Sequence, residues 1–175
     1  MKYYTGKGDD GKTSLADGRV PKDNKTVQVI GEIDDLSAKI GAAYSLIEDN
    51  KIKEDLKSIE SDLYLISAEL SGYLPLVKNR RVNPISSDSV KKLEALTDSY
   101  SQELKDTNRF VYPNGTQAAT SVNICRTQTR RVERALAGIK CSNEAIKPYI
   151  NRLSSFFFVL FRWLNQKVGF KEDFF

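Results

Sequence analysis

Apolar residues recur at alternating spacings of four and three along most of this chain. From about Thr26 to Glu48 the series is Val29, Ile33, Leu36, Ile40, Ala43 and Ile47. From about Ile52 to Tyr73 it is Ile52, Leu56, Ile59, Leu63, Ile66, Leu70 and Tyr73. Such a rhythm keeps one stripe of a helix apolar and obliges another helix to cover it. Pro75 and Pro84 bracket a loop, after which Ser87 or Asp88 can cap a third helix carrying Val90, Leu93, Leu96, Tyr100 and Leu104. Phe110 to Gly115, FVYPNG, reads as a turn. A fourth helix is expected from about Thr116 to Ile139, with Ala118, Val122, Cys125, Thr129, Val132, Leu136 and Ile139 inward. Gly138 falls early for its stop. Ser142 or Asn143 opens a fifth, with Ile146, Ile150, Leu153, Phe157, Leu160 and Leu164 inward. Pro148 is tolerated because it lies near that helix start. No segment has a strand period long enough for a sheet, and no repeat is visible. The expectation is an all-α five-helix bundle spanning 27–170. It follows a polar arm over 1–26, rich in Gly, Asp, Lys and Thr, and the 175 residues form one domain.

The chain contains no histidine. That excludes a nucleophile activated by a His base, a His-bearing zinc site and an imidazole ligand from this chain to any metal cofactor. Chemistry must rest on Asp, Glu, Lys, Arg, Tyr, Ser, Thr or backbone amides. The two cysteines, Cys125 and Cys141, make no metal or disulfide framework, as expected of a reducing cytosol. The net charge of +4 is interspersed with acids, which suits an anion more than a nucleic-acid surface. MKYYTGKGDDGK lacks the apolar core of a signal peptide. The longest apolar run, Phe156 to Phe161, is too short to span a bilayer. A soluble, cytoplasmic protein is expected.

Four segments could carry chemistry, and each has a plainer reading. Residues 6–13, GKGDDGKT, satisfy the phosphate-loop pattern through Gly6, Gly11, Lys12 and Thr13. That motif needs a strand before it and a helix after it, and neither is legible here. Still, Gly6, Gly8 and Gly11 would let amides approach an anion, with Lys7 and Lys12 adding charge. Asp9 or Asp10 could hold a phosphate-bound magnesium ion. The plain reading is a solvated terminal arm. On the fourth helix, Arg126, Arg130 and Glu133 fall within about 60° of one another beside the apolar seam. They suit phosphate oxygens, or else form a structural salt-bridge network. In GEIDDL, Asp34 follows inward Ile33 and could face a seam, where Arg126 could neutralise it. The alternative is an exposed patch of Glu32, Asp34 and Asp35. In NRLSSFFFVLFRW, Asn151 and Ser154 border an aromatic run. Consecutive phenylalanines would cover the whole helix circumference, implying a partner subunit or a large apolar ligand.

YTGKGDDGKTSL with RVPK downstream, GEIDDLSAKIG, FVYPNG, RTQTRRVERAL and NRLSSFFFVLFR appear in that order over nearly the whole chain. Together they resemble the PduO-type ATP:cob(I)alamin adenosyltransferases. The resemblance implies a homotrimer of five-helix bundles with active sites at subunit interfaces. It implies transfer of the 5′-deoxyadenosyl group of ATP to the cobalt of cob(I)alamin, with release of triphosphate through a four-coordinate, base-off corrinoid. By this resemblance Thr5, Lys7, Gly8, Asp9 and Gly11 match the arm that wraps ATP. Gly6 stands where the family commonly has a basic residue, here shifted to Lys7. Lys22 reaches the phosphates, Arg130 meets the triphosphate, and Glu133 is associated with nucleotide and magnesium. Asn151 contacts the nucleotide, Asp34 and Arg126 match an intersubunit ion pair near the corrinoid, and Phe110 lies below the corrin ring. Ser155 replaces the aspartate usual in NRLSD. Lys7, Lys12, Lys22 and Arg130, with Mg²⁺, would take up charge on the leaving triphosphate. A flavoprotein reductase and an adenosylcobalamin-dependent enzyme are the implied protein partners. The competing readings are a non-catalytic helical scaffold, an NTPase using residues 6–13, and a corrinoid-delivery module.

Overall fold

The computed structural model describes residues 3–73 and 83–175, so the expected loop proline Pro75 lies outside the described residues. Two short strands, β1 (Lys12–Leu15) and β2 (Gly18–Pro21), precede five helices. The helices are α1 (Lys25–Leu46), α2 (Asn50–Leu70), α3 (Ser87–Ser101), α4 (Gln117–Ala137) and α5 (Ile146–Lys167).

The stripes of α1 and α2 are buried as their spacing requires: Val29, Ile33, Leu36, Ile40 and Ala43 on one, Ile52, Leu56, Ile59, Leu63 and Ile66 on the other. Asn24 starts α1 by accepting the amide of Thr26 at 2.9 Å. Asp49 starts α2 by accepting the amides of Lys51 and Ile52. These caps satisfy amides that have no carbonyl one turn back. α4 packs against both α1 and α5, and α3 packs on the other side of α5. Polar ties join the layers. Gln128 of α4 donates to the Glu32 carbonyl of α1 at 3.0 Å and accepts from Lys39 at 3.0 Å. Tyr149 and Tyr100 donate to Asp62 and Asp55 of α2, each at 2.7 Å. Burial, and then the Asp62 charge, push the Tyr149 phenol well above its ordinary range, so it stays a donor.

Several boundaries differ from expectation. Residues 12–21 form an antiparallel hairpin, with Thr13 opposite Val20 and Leu15 opposite Gly18. Strands of four residues are too short to display a period, and Gly18 supplies the positive φ of +130° at the return. α3 is capped by Ser86, reciprocally with Ser89, rather than by Ser87 or Asp88. It ends before Leu104. α2 ends before Tyr73, at a glycine turn, Gly72, with φ +78°. α4 stops at Ala137, so Gly138 does end it. α5 begins at Ile146, because Asn143 turns its side chain onto the Ala145 amide at 2.9 Å and holds the preceding turn. Phe156, Phe157 and Phe161 are buried, while Phe158 is 37% exposed. The aromatic run therefore extends from the core to the outer face of α5, where Phe158 stands.

The FVYPNG turn is held from two sides. Residues 170–175 run beside it, with the Tyr112 amide donating to Asp173 O and the Phe175 amide to Phe110 O, both at 2.9 Å. Arg162, itself buried, grips Glu172 through two hydrogen bonds of 2.6 and 2.9 Å and donates to Lys105 O. Asn165, fully within α5, accepts the Thr116 amide and donates to Asn114 O. A Cβ on Gly115 would overlap that carboxamide, and φ there is +141°. Among the described residues, no helix is long and apolar enough to cross a membrane. The Gly115→Ala variant should lose about 1–3 kcal/mol of stability, from backbone strain and displacement of Asn165. The expected readout is a lower urea midpoint with an unchanged slope.

Candidate functional site

The glycine-bearing segment is folded by its own backbone. Asp9 N donates to Gly6 O and Gly11 N to Gly8 O, each at 3.2 Å, and Lys22 N donates to Gly11 O at 2.9 Å. Gly6 and Gly11 adopt φ of +70° and +76°, which side chains disfavour. The Lys22 ammonium lies close over Gly8, 3.3 Å from where a Cβ would stand. Thr5 accepts the Lys7 amide at 3.4 Å. Lys7, Asp9 and Lys12 are exposed. Asp10, by contrast, is engaged. It accepts the Lys12 amide at 3.1 Å and the Arg19 guanidinium at 2.7 Å, and that backbone donor leads in holding its carboxyl below the ordinary range. Arg19 also donates to Lys7 O at 2.6 Å, stapling the turn. The hairpin meets the bundle where Ala16 N donates to Ser71 O at 2.9 Å. A phosphate-loop fold is ruled out by order: β1 begins at the motif's own Lys12, and a second strand follows it instead of a helix.

A second group lies on α4 and α5. Asn151 donates to Glu133 at 2.7 Å. Both line a surface cleft of about 520 Å³, with Leu136, Ala137, Lys147 and Arg152. The expected structural pair between Arg130 and Glu133 does not form among the described residues, where Asn151 donates to one oxygen of that carboxylate instead. Arg130 is exposed and has no ion pair there. Arg126 is half-buried and donates to the buried Asn123 at 2.6 Å. Burial first, and then the Arg130 charge, lower the Arg126 pKa. Two guanidiniums one turn apart without a carboxylate between them favour an anion.

Asp34 is exposed and does not pair with Arg126 within the chain, which corrects the buried-seam alternative. Its neighbours are taken: Glu32 accepts from Gln128 and Arg131, and Asp35 pairs with Lys39. Phe110 is 81% exposed, on the turn braced by the 170–175 segment. No hydrogen bond or ion pair among the described residues joins the 5–22 segment to Arg126, Arg130, Glu133 or Asn151. Nor do the described residues contain a cluster of three or more metal-ligating side chains. Glu133 is the carboxylate in the cleft. One carboxylate is enough for a magnesium ion whose other ligands are phosphate oxygens and water, so the residues present fit that ion.

Sequence reasoning passed over Arg19, Glu94, Arg152 and the Arg162–Glu172 anchor, which are fixed by partners distant in the chain. Asn165 left one signal, a polar side chain beside the apolar stripe of α5.

The fold is a five-helix bundle preceded by a short hairpin, with Arg126 and Arg130 one turn apart on α4, which sets it apart from the phosphate-loop proteins. The comparisons then specify the family. Residues 3–164 match the family model described as cobalamin adenosyltransferase. The corrinoid adenosyltransferase of Bacillus subtilis (strain 168) is 36% identical, covering 97% of this chain and 89% of its own. The cobalamin adenosyltransferase of Cupriavidus metallidurans is 35% identical, with coverages of 96% and 90%. A phenylalanine-to-histidine variant of the PduO-type ATP:corrinoid adenosyltransferase from Lactobacillus reuteri, complexed with cobalamin and ATP, superposes with a TM-score of 0.87. It is 27% identical, and the match covers 99% of this chain and 96% of that one. An arginine-to-lysine variant of the same enzyme, complexed with ATP, gives 0.84 at 26% identity, over 98% and 99% of the two chains. The chain belongs to the cobalamin adenosyltransferase family.

The cysteines stand apart from this site. Burial pushes the Cys125 thiol up to about 12, and burial raises Cys141 as well. A raised pKa leaves little thiolate at pH 8, least of all at Cys125. A disulfide thiol reagent should label only Cys141 in the folded protein, and slowly, and both thiols after unfolding. Label on Cys125 in the folded protein, located by mass spectrometry, would contradict this.

Proposed function

We propose that this protein transfers the 5′-deoxyadenosyl group of ATP to the cobalt of cob(I)alamin, giving adenosylcobalamin and triphosphate. The observation that carries the reading is the uncompensated pair Arg126 and Arg130 beside the Glu133–Asn151 cleft, in a chain of this family. In the transfer, the two electrons of Co(I) form the cobalt–carbon bond as the C5′–oxygen bond to triphosphate breaks. No proton moves, so the lack of histidine costs the reaction nothing. The protein's work is orientation and acceptance of charge on the leaving group. Arg130, Lys7, Lys12 and Lys22 meet the triphosphate. Thr5, Gly6, Gly8, Asp9 and Gly11 wrap it, and Asn151 holds the nucleoside. Magnesium carried by the phosphates would draw further charge from them, with Glu133 as its protein ligand.

The segment 1–26 serves as the ATP-binding arm and 27–170 as the bundle of one functional unit. Assembly into a homotrimer supports the site, because Asp34 of one copy would give Arg126 of the next the counter-charge that neither has among the described residues of its own chain. The 5–22 segment and the α4–α5 cluster, which share no hydrogen bond or ion pair among the described residues of one chain, would then meet across a subunit interface. Phe110, presented bare to solvent, suits the lower face of a corrin ring. There it would displace the axial ligand and make Co(II) four-coordinate, hence easier to reduce. A flavoprotein reductase would supply the electron, and an adenosylcobalamin-dependent enzyme would take the product, in the cytoplasm.

Incubation with ATP and reduced cobalamin should yield the adenosylcobalamin spectrum and free triphosphate. ADP and phosphate would point to a hydrolase, and no product to a non-catalytic scaffold. Arg130→Ala should lower kcat/KM by about a hundredfold or more. Its light-scattering mass should stay that of the parent. In Phe110→Ala, cob(II)alamin with ATP should lose the four-coordinate spectral signature and keep nucleotide binding. An unchanged signature would remove Phe110 from the corrinoid site.

A further inference from the structure

One side-chain chain crosses three helices at the cleft. Glu94 of α3 accepts from Arg152 Nε of α5 at 2.8 Å. Arg152 Nη1 donates to Asn151 Oδ1 at 2.8 Å. Asn151 Nδ2 donates to Glu133 Oε1 of α4 at 2.7 Å. The two ends of the Asn151 carboxamide are thus held by groups of opposite character. A guanidinium can only donate, so the atom facing it must be the oxygen. An ionised carboxylate can only accept, so the atom facing it must be the amide nitrogen. Either partner alone would select one of the two orientations, related by a half-turn of the carboxamide. Together they select the same one. Arg152 in turn is fixed by Glu94, which sits on a helix that contributes nothing else to this group. With its oxygen turned to Arg152 and one N–H given to Glu133, Asn151 keeps a second N–H free to address an acceptor on whatever binds.

We propose that Arg152, pinned by Glu94, is a positioning residue that locks the Asn151 carboxamide in its donor-outward orientation. Asn151 therefore reads a hydrogen-bond acceptor on the nucleoside part of the substrate. This rests on the placement of Asn151 in the nucleotide site. Arg152 acts through Asn151 and does not touch the nucleotide. Its loss leaves Glu133 as the one remaining constraint, so the carboxamide is held less firmly and spends more of its time turned over, offering an oxygen to that acceptor.

The test is a double-mutant cycle on the full-length enzyme with ATP and cob(I)alamin. Arg152→Ala should raise KM for ATP roughly three- to tenfold, the scale of one hydrogen bond. It should leave kcat and the KM for cob(I)alamin unchanged. Asn151→Ala should raise KM for ATP at least as much. Arg152→Ala added to Asn151→Ala should then have no further effect. Glu94→Ala should reproduce the Arg152→Ala shift in weaker form and Glu94→Gln, which keeps the acceptor, should not. Glu94 lies on a different helix and is itself only half-buried, so this pair serves if Arg152→Ala folds poorly. Additive effects of Arg152→Ala and Asn151→Ala would mean that Arg152 meets the nucleotide itself, and would overturn the proposal while keeping the site. The same holds if Asn151→Ala raises KM and the Arg152 and Glu94 variants do not. An unchanged KM in Asn151→Ala would instead remove Asn151 from the nucleotide site, and the proposal with it.

Discussion

The burial of the α4 seam between α1 and α5 is the constraint on which the rest depends. Val122, Cys125, Thr129, Val132 and Leu136 are all sealed in that contact. A helix gripped along one stripe has no freedom to rotate. Arg126, Arg130 and Glu133, which flank that stripe, are therefore held at the rim of the bundle. The Gln128 clamp on Glu32 and Lys39 fixes α4 along its axis as well, because its amide needs particular partners on α1. The rigid core thus does the orienting, and the charged groups do not have to find one another.

Much of this was legible in the sequence, because burial on a helix leaves a period. The stripes of α1, α2, α4 and α5 are visible as spacing. So is the position of Arg130 beside one of them, since α-helical geometry is regular enough to extrapolate over one or two turns. The hairpin was not legible, since four residues per strand give no period. Nor were the exchanges of partners: Glu133 is three residues from Arg130, but takes Asn151 from another helix. Local spacing shows which side chains can meet, and tertiary neighbours decide which do. The Asp10 carboxylate shows the same limit. From sequence it is as good a metal ligand as Asp9, but Arg19, nine residues away, occupies it.

Among the described residues, several groups bear charge without an ion pair or apolar surface without a cover. Arg130, Asp34 and Phe110 are examples, and each would be costly to leave so in a crowded interface. Their common property is position: a helix rim, a helix face and a braced turn, all rigidly backed. Phe110 in particular is an exposed aromatic on a backbone held by the Arg162–Glu172 anchor and by Asn165. A bare ring on such a support is preorganised, and ordering it on contact costs little conformational entropy.

The hairpin has the opposite character. Among the described residues, one backbone hydrogen bond, from Ala16 to Ser71, ties it to the body beyond its own connection into α1. Its opening is then a local event, requiring the loss of that tie and leaving the core intact. Amide exchange there is expected to proceed without global unfolding. A ligand that bridges the hairpin to another surface would convert this local freedom into order, and its affinity would be reduced by the free energy of that ordering.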